Sequence, residues 1–433
     1  MTIVSASLPT MADDLDSSEA LLSWGVTGLF LAMAVGTPVM GRLGDTYGHR
    51  KVFLAGATVL TVGTALCGLA PTDLAFIGAR MVVGFGISAT MPNSMALIMA
   101  AYPVSQRVQA MGWFQMAMTG APVLGLVIGG PLIAAFGWRA VFALLTPLGI
   151  FGLVWAWRVI RPSPPGPRVP IDYAGAASLA MATLAFLLGL ERGRAAGFGD
   201  VISVGLLVVS GLAIGAFIMI ERRAPFPMLK LSYFRRPNFT GPLIAQPLGQ
   251  FAYMGGFLIS PILLDDVFGL GVGAIALVLL FRPGAYSICS PIGGRLAVRH
   301  GNRLFVIIGS VLMAASMVVF AGAAAQEHLG LFIAALVLSG AAMGLASPSY
   351  STSLANSVDP HDLGIASGMG STMMNIGMLT GIQAMFVVLG DGRTPDDFAR
   401  TYLFGGAVAA VSVVGGLIMR PERATATSAV RSS

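Results

Sequence analysis

Charge is scarce in this chain of 433 residues, because Asp, Glu, Lys and Arg together make up only 10% of it. In a soluble domain, charged residues make up about a quarter of the chain. Lysine occurs twice, as Lys51 and Lys230, and neither follows a glycine. The sequence therefore lacks the Gly-Lys-Ser/Thr loop that binds phosphate in one large class of ATPases.

Cysteine and histidine are also rare. Cys67 and Cys289 lie in separate apolar runs, where we predict packing residues and no disulfide. The histidines are His49, His300, His328 and His361. All four fall in predicted loops, without the spacing of metal ligands and without a nucleophile constellation. We therefore expect no enzyme activity, no cofactor and no metal site.

Apolar residues dominate instead, at 56% of the chain. They form thirteen runs, most of them close to the roughly 20 residues that a helix needs to cross a bilayer. The predicted spans are 21–41, 52–70, 73–100, 110–136, 138–158, 173–190, 201–220, 238–264, 272–293, 304–323, 330–350, 363–389 and 401–419. The 56 glycines are typical of helices that pack closely in lipid. This pattern predicts an all-α polytopic membrane protein.

A shorter apolar stretch, "MTIVSASLPTMADDLD", precedes these spans. Its twelve residues before Asp13 would make about 18 Å of helix, against a hydrocarbon core of about 30 Å. This is about half a span. We expect the other half to lie upstream of Met1, which would give fourteen spans with both termini on one side.

The distribution of charge supports this topology. With the loop that holds Arg42 placed in the cytoplasm, 18 of the 25 Lys and Arg residues fall inside, 5 outside and 2 within spans. Of the 19 acidic residues, 6 fall inside, 13 outside and none within spans. This asymmetry follows the positive-inside rule and predicts cytoplasmic termini. The net charge of +6 is thus explained by topology, and we expect no nucleic-acid partner.

An internal repeat divides the chain. The phrase "GRLGDTYGHRK" (41–51) recurs 253 residues later as "GRLAVRHGNR" (294–303), with Val298 in place of Asp45. At an offset of 252, Gly112, Gly125 and Gly129 match Gly364, Gly377 and Gly381. Such repeats are typical of secondary transporters. The predicted domains are an N-terminal half (1–160), a central two-helix hairpin with its linkers (161–237), a C-terminal half (238–420) and a tail (421–433).

Four segments resemble signatures of the major facilitator superfamily. "GRLGDTYGHRK" resembles the family's loop signature, although Thr46 and His49 stand where arginine is usual. "RMVVGFGISA" (80–89) resembles the motif of the family's fourth helix. "GAPVLGLVIGGPL" (120–132) resembles the antiporter motif of its fifth helix, with Leu126 where proline is usual. "TIVSASLPTM" (2–11) resembles the first-helix motif of the fourteen-span drug:proton antiporters of the EmrB/QacA type.

The resemblance implies two six-helix halves that alternate access and export small amphipathic or hydrophobic compounds in exchange for protons. The membrane would be the bacterial cytoplasmic (inner) membrane. A conformational latch would be formed by Gly41, Asp45, Gly48 and Arg50, with Asp45 facing the start of a helix near Leu363. Arg80 would take part in proton transfer. Close helix packing would involve Gly120, Pro122, Gly125, Gly129 and Gly130.

The resemblance also leaves one expected residue out. Aligned on Thr2, Ile3 and Val4, the acid of the first-helix motif would fall one position before Met1. This agrees with the half-span and predicts that the proton-carrying acid lies upstream. Each role that the resemblance implies has an alternative. Arg50 would only anchor the topology, Arg80 would extend its charged end to the membrane interface, and the glycines would serve only close helix packing.

Arg282 is unusual on local grounds, because it lies ten residues into a predicted span and precedes Pro283. Intramembrane arginines mark functional sites. We hypothesise that Arg282 faces a central cavity; the alternative is a pair with Asp265, Asp266 or backbone carbonyls. Weaker cavity candidates, each equally suited to hydrogen bonding between helices, are Asn93, Gln115, Gln246, Gln250, Asn375 and Gln383.

Three functions stay open at this level. The sequence favours an exporter of small molecules, with protons and the bilayer as further partners and a periplasmic adaptor as an open question. A solute importer or uniporter of the same fold is the second reading, and Leu126 weakens the argument against it. A membrane sensor or scaffold without transport is the third, against which Arg80 and Arg282 speak.

Overall fold

The computed structural model describes residues 11–12, 14–22, 24–161, 172–197, 199–223, 231–390 and 392–421. These residues form helices and loops, and none of them forms a strand. After a short helix at Glu19–Leu22, the chain forms α1 (Trp24–Tyr47), α2 (His49–Gly68), α3 (Asp73–Ala101), α4 (Arg107–Phe136), α5 (Arg139–Val159), α6 (Tyr173–Ala196), α7 (Val201–Arg223), α8 (Pro237–Asp266), α9 (Val272–Leu279), α10 (Phe281–His300), α11 (Asn302–Ala325), α12 (Leu329–Asn356), α13 (Leu363–Leu389) and α14 (Pro395–Ile418).

Each of the thirteen predicted spans overlaps one of these helices, except that the span at 272–293 overlaps both α9 and α10. Within the described ranges, eleven helices are long and apolar enough to cross a membrane. The predicted count of fourteen depends on residues 1–10, which lie outside the described residues. Both cysteines are free thiols, as predicted.

The charged phrase at 41–51 is more helical than predicted. We expected α1 to end near residue 41, but it continues to Tyr47. The turn falls at Gly48, whose φ of 96° is open to glycine at little cost. The extra helical residues carry Asp45 on a regular helix, which fixes the direction of its side chain.

One compact unit comprises residues 1–101, 120–233 and 358–383. Within it, α3 packs against both α1 and α2. Gly84 and Gly86 allow this approach, because a Cβ at either would lie 2.5 Å from backbone atoms of α1 or α2. An edge-to-face cluster of Phe76, Trp138 and Phe142 fills the core.

The other compact unit comprises residues 102–119, 234–357 and 384–433. Here α11 packs against α12 and α14, α10 against α12, and α8 against α14. Gly241 and Gly415 bring α8 and α14 together backbone to backbone. Phe320, Phe332 and Tyr402 lie in the centre of the core.

The boundaries of the two compact units differ from those of the predicted domains. Both α4 and α13 are divided between them, since the unit boundaries fall at residues 119/120 and 383/384. The division into halves at 1–160 and 238–420, with a hairpin at 161–237 between them, therefore stays a prediction. The proline-rich stretch 162–171 and residues 224–230 are outside the described ranges.

Candidate functional site

The charged phrase meets the start of α13 at a contact that we call the first junction (residues 37–49 with 358–368, all in one unit). The buried Asp45 carboxylate accepts the N–H of Gly364 on Oδ1 at 2.7 Å and the N–H of Ile365 on Oδ2 at 2.9 Å. Since α13 begins at Leu363, these N–H groups have no partner within their own helix. Asp45 therefore caps α13, and the helix dipole favours its negative charge there.

Glycine makes this cap reachable. A Cβ at Gly41 would overlap the carbonyl oxygen of Gly364, and a Cβ at Gly364 would overlap that of Gly41. One turn further, a Cβ at Gly368 would lie 3.2 Å from the carbonyl oxygen of Thr37 and 3.3 Å from Cα of Pro38. The two helices thus touch through their backbones, which holds Asp45 within hydrogen-bond distance of α13.

A second acid completes the first junction. The Arg42 guanidinium lies 3.3 Å from Asp362 Oδ1. The buried Tyr233 hydroxyl donates to Asp362 Oδ2 at 2.5 Å and accepts the N–H of Asp359 at 3.3 Å. Burial and the neighbouring Asp362 raise the pKa of Tyr233 to about 12, so this hydroxyl keeps its proton at neutral pH.

Sequence reasoning did not identify Tyr233 or Asp362 as site residues. Tyr233 belongs to the short helix Leu231–Arg235 in the linker before α8, and its spacing from the charged phrase carries no signal. For Asp362 a signal exists, because an acid directly precedes the helix start that Asp45 was expected to face.

His49 and Asn93 extend the network from α1 to α2 and α3. His49 Nε2 lies 3.4 Å from Asp45 Oδ1, and its Nδ1 lies 2.9 Å from Asn93 Oδ1. The Asn93 amide donates to the carbonyls of Met40 at 3.0 Å and Ala89 at 2.8 Å. The fully buried Asn93 thus forms hydrogen bonds between helices, and a cavity role for it stays a prediction.

The other predicted latch residues lie nearby with different contacts. Gly48 forms the turn between α1 and α2. Arg50 Nη2 donates to the carbonyl of Trp157 at 2.6 Å, which ties α2 to the end of α5. A latch role for Gly41, Asp45, Gly48 and Arg50 stays a prediction, and the contacts with α13 come from Gly41 and Asp45.

The repeat of the phrase forms a second junction (residues 290–298 with 107–113), which lies within the other unit. A Cβ at Gly112 would lie 2.7 Å from the carbonyl oxygen of Ser290 and 3.1 Å from Cα of Pro291. A Cβ at Gly294 would lie 2.7 Å from the carbonyl oxygen of Val108. Val298 takes the place of Asp45, and its side chain is 45% exposed.

These contacts correct the register of the repeat. Pro38 and Pro291, at the predicted offset of 253, contact Gly368 and Gly112 respectively. The latter two glycines are 256 residues apart, so Gly112 corresponds to Gly368 and not to Gly364, as the offset of 252 had indicated. The short helices Val104–Gln106 and Pro360–Asp362, which precede α4 and α13, agree with 256.

Arg80 lies on α3 and is buried, with 6% of its side chain exposed. Its Nε donates to the carbonyl of Gly25 on α1 at 3.2 Å, whereas Nη2 has no hydrogen bond among the described residues. The arginine therefore turns into the protein, which argues against the snorkelling alternative. Its predicted role in proton transfer stays a prediction.

The antiporter-motif residues all lie on α4, which is one continuous helix. These residues are Gly120, Pro122, Gly125, Gly129 and Gly130. Their predicted role in close helix packing stays a prediction.

Arg282 lies at the start of α10, two residues after the break at Leu280, and is fully buried. Its guanidinium carbon lies 4.0 Å from the ring centre of Tyr253, 5.7 Å from that of Phe257 and 5.8 Å from that of Phe320. None of its three side-chain nitrogens has a hydrogen-bond partner among the described residues. Among the described residues, no hydrogen bond joins Arg282 to Asp265, Asp266 or a backbone carbonyl, which were the alternative partners, and Asp266 lies 3.3 Å from Arg393.

The other cavity candidates are distributed over both units. Gln246 and Gln250 are buried on α8, in the unit that contains Arg282, and the side-chain Oε1 of each has no partner in the described structure. Gln115 is half-buried in the same unit. Asn375 and Gln383 are buried on the part of α13 that belongs to the other unit.

The membrane-length helices, the repeated junctions and the buried arginines together define a polytopic membrane carrier. The sequence matches the family described as Major Facilitator Superfamily over residues 1–280 and 247–433. The chain belongs to the Major Facilitator Superfamily. It is therefore a multi-pass membrane transporter of small molecules, and members of this family are not enzymes.

Curated relatives are named for drug resistance. The tetracenomycin C resistance and export protein of Streptomyces glaucescens is 29% identical over 90% of this chain and 72% of its own length. The methylenomycin A resistance protein of Streptomyces coelicolor is 27% identical over 99% of this chain and 91% of its own length.

Solved structures agree on the fold. The human organic anion transporter MFSD10 matches with a TM-score of 0.69 and 16% sequence identity, over 95% of this chain and 89% of that one. At this identity the likeness concerns the fold alone.

Proposed function

We propose that this carrier exports small amphipathic or hydrophobic compounds from the cytoplasm in exchange for protons, as a member of the fourteen-span drug:proton antiporter group. The transporter class follows from the family, whereas the direction, the coupled ion and the subgroup are the proposal. Export is supported by relatives whose names include resistance and export.

The observation that carries the proposal is the cap of Asp45 on α13. It joins the first and last thirds of the sequence by two charge-assisted hydrogen bonds, which are stronger than neutral ones and yet reversible. A carrier that alternates access needs such a bistable contact, closed in one state and open in the other. We propose that the first junction is closed when the binding site faces outward.

For proton coupling we propose Arg80 as the basic partner. Its unpaired Nη2 is buried and can bind a carboxylate. Protonation of that carboxylate would break the pair and leave an unpaired buried charge, which provides the free energy for a conformational change.

The experiment is efflux from a pump-deficient bacterium that expresses the protein, with ethidium, Nile red and pyrenebutyrate as cationic, neutral and anionic probes. We expect lower accumulation of at least one probe, and a loss of this effect in Asp45→Asn. The matched control is Asp396→Asn, which makes the same chemical change at an exposed acid at the start of α14.

The two alternative functions predict different results. A rise in accumulation would identify an importer, and unchanged accumulation of all three probes would favour a sensor or scaffold. Proton exchange is tested separately in proteoliposomes with an imposed pH gradient, where Arg80→Gln should abolish efflux driven by the gradient. Efflux that ignores the gradient in the unmodified protein would contradict the coupling.

A further inference from the structure

The surroundings of Arg282 differ from those of a structural arginine. A buried charge in a protein is normally paired with an opposite charge or hydrogen-bonded, because removal from water is costly. Here the guanidinium is fully buried, and Nε, Nη1 and Nη2 all lack a hydrogen bond to any described residue. Its neighbours are rings, with Tyr253 closest at 4.0 Å.

Aromatic rings account for only part of this position. A ring face attracts a cation through its quadrupole, but it does not provide hydrogen-bond acceptors for the five N–H groups of a guanidinium. The carboxylate nearest in sequence, Asp266, is engaged by Arg393. The positive charge is therefore neither neutralised nor hydrogen-bonded by the described residues.

A local irregularity of the helix lies beside Arg282. The regular hydrogen bonding is interrupted at Leu280, where α9 ends at Leu279 and α10 begins at Phe281, directly before Arg282 and Pro283. Leu280 keeps right-handed helical backbone angles, so α9 and α10 follow each other within one candidate span. Arg282 lies near the middle of the candidate span Gly273–His300.

One face of α8 matches a ligand with both an apolar body and a polar head. Gln246, Gln250, Tyr253 and Phe257 follow each other at spacings of four, three and four residues, which places them on one side of the helix. Two of them contribute rings to the Arg282 cluster, and the other two carry buried amides whose Oε1 is unpartnered. An amide can also turn its N–H₂ group toward an anion.

We propose that Arg282 is the head-group site for an organic monoanion with an apolar, ring-bearing or long-chain body, such as a carboxylate. The guanidinium binds the carboxylate through two parallel N–H bonds. The rings of Tyr253, Phe257 and Phe320 contact the apolar body. This proposal rests on the proposed function, since it names the substrate class that the carrier would transport.

Binding of a matched probe series to the purified full-length protein tests this assignment without relying on transport. Pyrenebutyrate, pyrenebutanol and pyrenebutylamine share one apolar body and carry an anionic, a neutral and a cationic head. We expect the unmodified protein to bind the carboxylate about tenfold more tightly than the alcohol, and the amine most weakly.

Variants assign the preference to one side chain. Arg282→Gln should abolish the preference for the carboxylate while binding of pyrenebutanol stays within about twofold, because only the charge pair is lost. Arg282→Lys should keep part of it, since lysine keeps the charge but not the planar fork. Arg299→Gln, on the exposed end of the same helix, removes one charge outside the cluster and should leave the preference intact.

Two results would overturn the proposal: equal binding of carboxylate and alcohol by the unmodified protein, or an undiminished preference in Arg282→Gln. If Arg282→Gln does not fold, as size-exclusion chromatography would reveal, the head-group series and Arg282→Lys decide alone. Failure of the export proposal looks different, because it leaves binding intact and appears as unchanged or raised accumulation in cells.

Discussion

At the first junction a carboxylate caps α13, whereas the same repeat position of the second junction holds Val298, which carries no charge. The backbone contact is otherwise shared. Gly41 and Gly364 in one junction, and Gly294 in the other, lie where a Cβ would meet the backbone of the neighbouring helix. Even the turns agree, since Gly48 and Gly301 have φ of 96° and 84°.

The comparison distinguishes the residues that bring the helices together from those that add polar bonds between them. Glycine and proline preserve the close approach of two helices in both repeats, whatever the charge. Asp45, Arg42, Asp362 and Tyr233 add polar bonds to the first junction. In the second, Arg295 lies over the Trp113 ring at 5.4 Å. Among the described residues, the first junction alone therefore has ion pairs and a side-chain cap, and these can make its opening a controlled step.

The largest expected effect comes from Asp45→Ala. It would leave two buried N–H groups of α13 without an acceptor, at a cost of about 3 kcal/mol to the closed junction. Opening is measured by the rate of thiol labelling of Ser367→Cys, a buried position in this junction, in a background without Cys67 and Cys289. We expect much faster labelling.

The matched change in the second junction is Val298→Ala. It is measured by thiol labelling of Met111→Cys, because Met111 is fully buried and corresponds to Ser367 at the offset of 256. It should leave labelling nearly unchanged. Equal effects of Asp45→Ala and Val298→Ala would show that the charge does not distinguish the junctions.

Glycine substitutions should affect both junctions alike. Gly41→Ala and Gly294→Ala each place a methyl group against backbone, and backbone yields less easily than a side-chain end. Overpacking of this kind costs about 2 kcal/mol. Thermal unfolding in detergent should show similar decreases for both variants, with Gly152→Ala, where a Cβ meets open space, as the control. A decrease for only one of them would argue against shared geometry.

A smaller effect is expected from Tyr233→Phe. The substitution keeps the ring and removes both hydrogen bonds of the hydroxyl, of which the one to Asp362 is worth about 1.5 kcal/mol because the acceptor is charged, while the one from the N–H of Asp359 is longer. Labelling of Ser367→Cys should rise, but less than in Asp45→Ala. The control Tyr102→Phe changes a hydroxyl on a half-exposed residue of the other unit. An unchanged rate in Tyr233→Phe would remove the linker from the network.

The weakest change should come from adding a carboxylate to the second junction. Val298→Asp places a carboxylate where the repeat predicts a cap for the first turn of α4, and an N-terminal cap contributes about 1 kcal/mol. Labelling of Met111→Cys should slow accordingly, whereas Val298→Asn, which is isosteric with the aspartate but uncharged, should slow it less. Faster labelling in Val298→Asp would mean that the two junctions differ in more than this residue.

Much of the fold was predictable because span formation in lipid depends on local sequence. Each of the thirteen predicted spans overlaps a helix, and several boundaries agree within a few residues. The main differences between the predicted and the observed helix boundaries have local causes. Asp45 lies on helix because α1 continues through the charged phrase, and α14 begins early because Thr394 and Asp397 form a capping box.

The candidate site was less predictable, because partners came from distant parts of the chain. Asp45 was expected to face a helix near Leu363, and it does, but Tyr233 in the linker carries no pattern that points to Asp362. Arg282 was identified by its depth in a span, whereas its ring neighbours on α8 and α11 depend on how three helices pack.

An all-helical membrane carrier with a duplicated charged phrase could be predicted from the residues alone, because hydrophobic length and charge placement are local properties. The register of the duplication depends on helix packing. Gly364 and Gly368 are one helical turn apart and lie on the same face, so offsets of 252 and 256 are equivalent in pattern. Only the contacts of Gly112 with Pro291 and of Gly368 with Pro38 distinguish them, because packing depends on which turn meets the neighbouring helix.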